Sequence, residues 1–230
     1  MVTDIVFDLD DTLCDFSAAR RRGIDQAFTV LPERYRSDAQ ALWHALEPGL
    51  FKSFAAGEIT RDEYRRRRFA TILSELGLAD VPGEEMGRRI DQMNRAFMRE
   101  INDGAQLMPG AAACLAELRE RGLSCHVLTN GPADSQRKRI RALGVDTFLE
   151  EVFVGEEIGA FKPDPIAFCH AVDRIGRRPD QAVMVGDDLH ADVLAARQAG
   201  LHAIHYAPAG SGYTPHITHL NQLAHLIAQL

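Results

Sequence analysis

Asp8 and Asp10 stand one residue apart at the end of the apolar run Ile5-Val6-Phe7, with Asp11 beside them. Carboxylates this close repel one another unless a cation is present. Further along come Thr129-Asn130-Gly131, then Lys162 in a Pro-rich loop, then Asp187 and Asp188 with Asp192 behind them. Carboxylate oxygens suit a hard cation such as Mg²⁺, which keeps several waters and completes its shell with substrate phosphate. A lysine binds phosphate as a point charge. A hydroxyl and main-chain amides at a strand-to-helix turn hold further phosphate oxygens. A carboxylate is also a known enzymic nucleophile, and with a phosphoryl group it forms an acyl phosphate. The chain has only three lysines, Lys52, Lys138 and Lys162, which makes a lysine in a loop between helices and strands conspicuous.

The elements that must position these groups follow from periodicity. Short apolar runs bounded by turn residues suit the interior strands of a parallel sheet. They occur at Ile5–Phe7, Cys125–Leu128, Val152–Val154, Ala182–Val185 and Ala203–Tyr206. Helical patterns alternate with them from Met108 onward, as in βα units. Ligands of open α/β sheets bind beyond the carboxyl ends of the strands, and each acidic or polar group above sits at such an end. Residues 16–103 carry no strand signal. Thr60-Arg61-Asp62-Glu63 has the spacing of a capping box, and Phe69, Ile72, Leu73 and Leu76 form one stripe that Gly77 stops. The expected architecture is a Rossmann-like α/β core, residues 1–15 and 104–230, with an all-helical cap, residues 16–103, inserted after the first strand. A helix is expected from about His190 to Gln198 and another over Ile217–Leu230.

With 230 residues, 46% of them hydrophobic, the chain has ample material for a core. A net charge of −7 argues against nucleic acid or an anionic membrane surface as partner, but not against a small anionic metabolite in a locally cationic site. No apolar run approaches the roughly 18 residues a membrane helix needs. No signal-peptide pattern is visible. Cys14, Cys114, Cys125 and Cys169 lack CxxC spacing, which fits reduced thiols and a cytoplasmic protein.

Taken together, Asp8-Leu9-Asp10-Asp11-Thr12, Thr129-Asn130, Lys162-Pro163 and Gly186-Asp187-Asp188 with Asp192 resemble the four ordered motifs of the haloacid dehalogenase superfamily. The helical insertion after the first motif resembles its helical cap of the first type. The resemblance implies a Mg²⁺-dependent phosphatase of small phosphate monoesters. Asp8 would be the nucleophile. Asp10 would be the general acid and then the base that activates water. Thr129, Asn130 and Lys162 would bind phosphate. Asp187 would ligate Mg²⁺ with the Asp8 carboxylate and the Asp10 carbonyl, and Asp188 and Asp192 would be auxiliary. Dehalogenating members lack a carboxylate two residues after the nucleophile, so Asp10 favours phosphoryl chemistry. Three rivals stand beside this: a phosphomutase, a 2-haloacid dehalogenase, and a catalytically silent module that binds a phosphorylated metabolite.

Other candidates have plainer readings. Of Arg65–Arg68, the helical phase turns Arg67 to solvent, places Arg65 on the apolar stripe and Arg68 at its margin. Arg65 or Arg68 is a candidate contact for an anionic part of the substrate; the alternative is an ion pair of Arg65 with Glu63 or Asp62. His202 and His205 fall on opposite faces of one strand, and His216 and His219 have helical spacing without a third ligand. All four are expected to be structural, and Cys14 a small buried hydrophobe.

Overall fold

The computed structural model describes residues 1–230, which form two compact units, Met1–Ser17 with Ala105–Leu230, and Ala18–Gly104. The first is built on six parallel strands: β1 (Asp4–Phe7), β2 (Ser124–Thr129), β3 (Glu151–Val154), β4 (Ala182–Gly186), β5 (His202–Tyr206) and β6 (His216–Ile217). Their order is β3-β2-β1-β4-β5-β6. The chain leaves β1 for four helices, α1 (Phe16–Phe28), α2 (Arg36–Ala55), α3 (Arg61–Glu75) and α4 (Gly83–Asn102). It then returns through α5 (Ala111–Glu120), α6 (Ala133–Ala142), α7 (Gly155–Ile158), α8 (Pro165–Arg174), α9 (Ala195–Gln198) and α10 (Leu223–Ile227).

Both faces of the sheet are covered, which is why the strands read as unbroken apolar runs. Ile5 and Phe7 face a core with Val127, Val183 and Leu115. Val6 faces the opposite one with Leu128, Met184 and Phe168. The register pairs Phe7 with Val127 on one side and Val185 on the other. Asp8 just after β1, Thr129 at the end of β2 and Asp187 just after β4 therefore emerge together at one edge. Strand order reverses at β1, the switch point where open α/β sheets place their ligands.

Two segments depart from expectation. Ile217 pairs with Tyr206 in the two-residue strand β6, so the last helix starts only at Leu223. The helix expected from His190 opens as a π-helical turn, Leu189–Leu194, before α9. His216 is accordingly on a strand, and the helical spacing of His216 and His219 is not realised.

Where the chain leaves and re-enters the sheet unit, its two segments run side by side. Cys14 bridges Leu107, Asp15 N donates to Gln106 O (2.9 Å), and Met108 N donates to Leu13 O (2.9 Å).

The helical unit has its own aromatic core. Trp43 lies 4.7 Å from Phe97 and 5.4 Å from Phe69, ring centre to ring centre, with Phe28 edge-on to both Trp43 and Phe69. Gly23 of α1 is required here, because a Cβ would stand 2.9 Å from Phe97 Cδ2. The capping box forms as its spacing predicts: Glu63 N donates to Thr60 Oγ1 (3.2 Å) and Thr60 N to Glu63 Oε2 (2.9 Å). No helix is long and apolar enough to cross a membrane.

Candidate active site

Lys162 is the hub. Its ammonium is buried and donates to Asp8 Oδ1 and to Asp192 Oδ1, each at 2.6 Å. Its main chain is fixed by Asn130, whose Oδ1 accepts from Lys162 N (2.8 Å) and whose Nδ2 donates to Lys162 O (2.7 Å). The Asn130 side chain is thus spent on the lysine, and any part in binding phosphate would fall to its main-chain amide. Asp192 reaches Lys162 from the π-helical turn, and its Oδ2 accepts from Asp188 N (3.1 Å). A Cβ at position 186 would collide with that carboxylate, so Gly186 leaves the space that Asp192 fills.

Asp187 is steered by Thr12, whose hydroxyl donates to Asp187 Oδ1 (3.1 Å) and accepts from Asp187 N (3.0 Å). His205 Nε2 donates to the Asp187 carbonyl (2.9 Å). Asp188 turns its carboxylate to the amides of His190 and Ala191 (2.8 Å each), capping the π-helical turn. Asp11 likewise caps α1 through Ser17 N and Oγ (2.7 and 2.6 Å), with φ +60, a left-handed conformation that Asp tolerates. Oxygens of Asp8, Asp187 and Asp192 lie within 4.8 Å of one another, a set able to hold a metal ion.

Asp10 stands apart from that set. Its Oδ1 receives Arg139 Nη1 and its Oδ2 receives Gln136 Nε2 (3.1 Å). Nearby, Thr129 is fully buried and its hydroxyl has no hydrogen-bond partner. Buried hydroxyls are almost always paired, so this one is poised for an atom the chain does not supply.

The charges make the same point. Burial pushes the Asp8 carboxyl well above the usual carboxylate range; Lys162 opposes this, while Asp192, Asp10 and Asp187 add to it. Burial, then Asp192 and Asp11, push Asp187 up to about 7 against the Thr12 hydrogen bond. Burial disfavours the Lys162 ammonium, but Asp192 and Asp8 outweigh it and raise its pKa. Such a site holds more negative charge than one lysine neutralises, and oxygen donors of this kind fit a hard cation.

The sequence profile of the haloacid dehalogenase-like hydrolases matches residues 5–200. The chain belongs to this family. It is 32% identical over 198 residues to the HAD hydrolase YfnB of Bacillus subtilis, covering 86% of this chain and 80% of that one. A crystal structure of YfnB bound to magnesium, described as revealing interdomain movement, superposes with a TM-score of 0.79 over 99% of each chain at 27% identity. The phosphoserine phosphatase of Thermus thermophilus is 30% identical over 223 residues, 87% of this chain and 86% of that one. The structure of a 2-haloacid dehalogenase from Pseudomonas syringae superposes with a TM-score of 0.75 at 27% identity, over 100% of this chain and 99% of that one.

Within this haloacid dehalogenase-like fold, the four motif segments meet at the ends of β1, β2 and β4 and in the loop after β3. Three neighbours of the motif residues escaped the sequence argument: Thr12, Gln136 and Arg139. Thr12 was hidden inside the first motif, where only the carboxylates drew attention. Gln136 and Arg139 sit in a run of basic residues that looks solvated. Yet Ala133, Gln136, Arg139 and Ile140 share the buried face of α6, and the phase set by Ile140 would have revealed an arginine at a core position.

In the helical unit, Arg68 is the buried member of its run, with its guanidinium over Trp43, Tyr64 and Phe97 at 4.7–5.0 Å and its Nε without a hydrogen-bond partner. Arg65 is only partly buried. Arg67 is exposed as expected and pairs with Glu63 (3.0 Å). Cys14 is buried and burial pushes its thiol up to about 12, as suits an inert hydrophobe.

Proposed function

We propose that the chain is a Mg²⁺-dependent phosphatase of small phosphate monoesters that works through an aspartyl-phosphate on Asp8. The observation that carries this is the division of the acidic groups. Three carboxylates able to hold a metal ion stand beside Lys162, and a fourth, Asp10, is held separately by Arg139 and Gln136. The orphaned Thr129 hydroxyl supplies a contact for a phosphoryl oxygen.

Asp8 attacks phosphorus while the bond to the ester oxygen breaks and Asp10 gives that oxygen its proton. Asp10 then takes a proton from water as the water oxygen bonds to phosphorus. The Asp8–phosphorus bond breaks, and inorganic phosphate leaves with Asp8 restored. Lys162 and Thr129 hold the equatorial oxygens, so the chain positions the group and spreads its charge. Asp8 and Asp187 would hold Mg²⁺, with Asp192 contributing charge from behind because its oxygens already serve Lys162 and Asp188. The ion would neutralise the phosphate and favour in-line attack. A phosphorylated small metabolite would be the partner, and its identity would be set by the helical unit. Within that unit, Arg65 or Arg68 contacting an anionic part of the substrate is part of the proposal, and an unchanged KM in the double variant would overturn it.

The likeness to a 2-haloacid dehalogenase favours one second reading, C–halogen cleavage by the same Asp8. The two separate in one experiment: release of phosphate from a metabolite panel with Mg²⁺, and of halide from 2-haloacids in EDTA, beside Asp8→Asn. Phosphate release that requires Mg²⁺ and is abolished in a folded Asp8→Asn protein is the expected result. Halide release in EDTA without phosphatase activity would reverse the assignment.

A further inference from the structure

We propose that Gln136 and Arg139 are positioning residues that hold the Asp10 carboxylate out of the metal cluster and aimed for proton transfer. This rests on the phosphatase reading above. The two lie three residues apart on α6 and so share a face. Each claims one oxygen of Asp10, Arg139 Nη1 on Oδ1 and Gln136 Nε2 on Oδ2 (3.1 Å). Neither donor is free to wander. The Gln136 amide also donates to Asn130 O (3.0 Å), and its Oε1 lies 3.4 Å from Arg139 Nη1. The Arg139 side chain is 2% exposed, with its guanidinium 4.3 Å above the centre of the Phe16 ring. The backbone at 131 accommodates the arrangement: φ there is +144, and a Cβ would stand 2.5 Å from Gln136 Nε2, so a side chain at Gly131 would displace the amide.

A carboxylate two residues from Asp8 would otherwise be drawn to the same cation as Asp8, Asp187 and Asp192. A hold on both of its oxygens fixes its direction. Proton transfer depends on that direction, because the acid must reach the ester oxygen within hydrogen-bond distance. The hold therefore matters most where the leaving oxygen cannot depart without a proton, and little where it leaves as a stable anion.

The test compares kcat/KM for the best alkyl phosphate of a metabolite panel with that for p-nitrophenyl phosphate, in Mg²⁺, for wild type, Arg139→Met and Gln136→Leu. The expected loss in Arg139→Met is about 10- to 100-fold greater for the alkyl ester, within the range of general acid catalysis. Arg139→Lys should recover part of it. Adding Arg139→Met to Asp10→Asn should cost nothing further. An equal loss on both esters, or a further loss in the Asp10→Asn background, would make Arg139 a merely structural ion pair and overturn the proposal. If Arg139→Met does not fold, Gln136→Leu carries the same comparison with the same two outcomes. A wild type that hydrolyses no phosphate ester overturns the phosphatase reading and this proposal with it. An active wild type with equal losses overturns this proposal alone.

Discussion

At the scale of single residues, the site is defined as much by one unsatisfied group as by its ion pairs. The Thr129 hydroxyl is buried and unpaired. Removing a hydroxyl that has no partner costs the fold little, whereas a hydrogen bond to a charged group contributes about 1.5–3 kcal/mol. Thr129→Val should therefore leave denaturant unfolding unchanged or shift it slightly upward. It should lower kcat/KM for a phosphate ester by roughly 10- to 100-fold. A destabilised variant with unaltered kcat/KM would show that the hydroxyl serves the fold. The motif residues themselves were legible in the sequence because carboxylates and a scarce lysine at strand ends have few bland explanations. Asn130 was legible by position only. Its main contribution here, a two-bond grip on the Lys162 main chain, depends on a loop 32 residues away meeting β2, and spacing does not reveal that.

At the scale of elements, β1 to β5 followed from apolar runs, and α3 from its cap and stripe. What periodicity missed was short or irregular. β6 is two residues long and exists because it completes an edge beside β5. The π-helical turn has the composition of an ordinary helix, but its wider turn lets the amides of both Asp192 and Val193 bond to the Asp188 carbonyl (3.0 and 3.3 Å). Such turns recur at functional sites. Here it carries Asp192 to Lys162, over a glycine that yields its side-chain space. Gly186→Ala should therefore expel the Asp192 carboxylate, strip Lys162 of one partner, and cost about 1–3 kcal/mol of overpacking. Activity should fall at least tenfold, an order set by the loss of a charged contact. Adding Asp192→Ala should restore stability, measured by thermal melting, without restoring activity. If the double variant is no more stable than Gly186→Ala, the clash lies elsewhere.

At the scale of the whole molecule, the buried acidic cluster should make stability depend on pH and, on the metal-binding reading, on a cation. Asp187 is raised from the usual carboxylate value to about 7, so between about pH 4 and pH 7 the folded state holds a proton that the unfolded chain has released. Stability in EDTA should thus be highest at the acid end of that window and fall as pH rises through 7. Asp8, raised in the same direction, adds to the trend. A cation that binds the ionised carboxylates opposes it, so Mg²⁺ should raise Tm more at pH 7.5 than at pH 5.5. The scale is about 2–4 °C for each kcal/mol in a chain of this size. A flat Tm in EDTA across this range, or an equal Mg²⁺ effect at both pH values, would contradict the assignment.

The paired segments around Cys14 and Leu107 have a bearing on the chain as a modular object. The insertion leaves and re-enters the sheet unit through adjacent, mutually bonded segments, so its two ends are already neighbours on that unit's own frame. In polymer terms, removing Ala18–Gly104 deletes a long loop whose closure is already made, and a few Gly and Ser residues could reconnect it at little entropic cost. The helical unit should then behave as a cassette that can be excised while the strands beneath Asp8 keep their fold. Such a capless chain should retain the circular dichroism of a folded α/β protein, and a chain that collapses on excision would show that the two parts are one cooperative body.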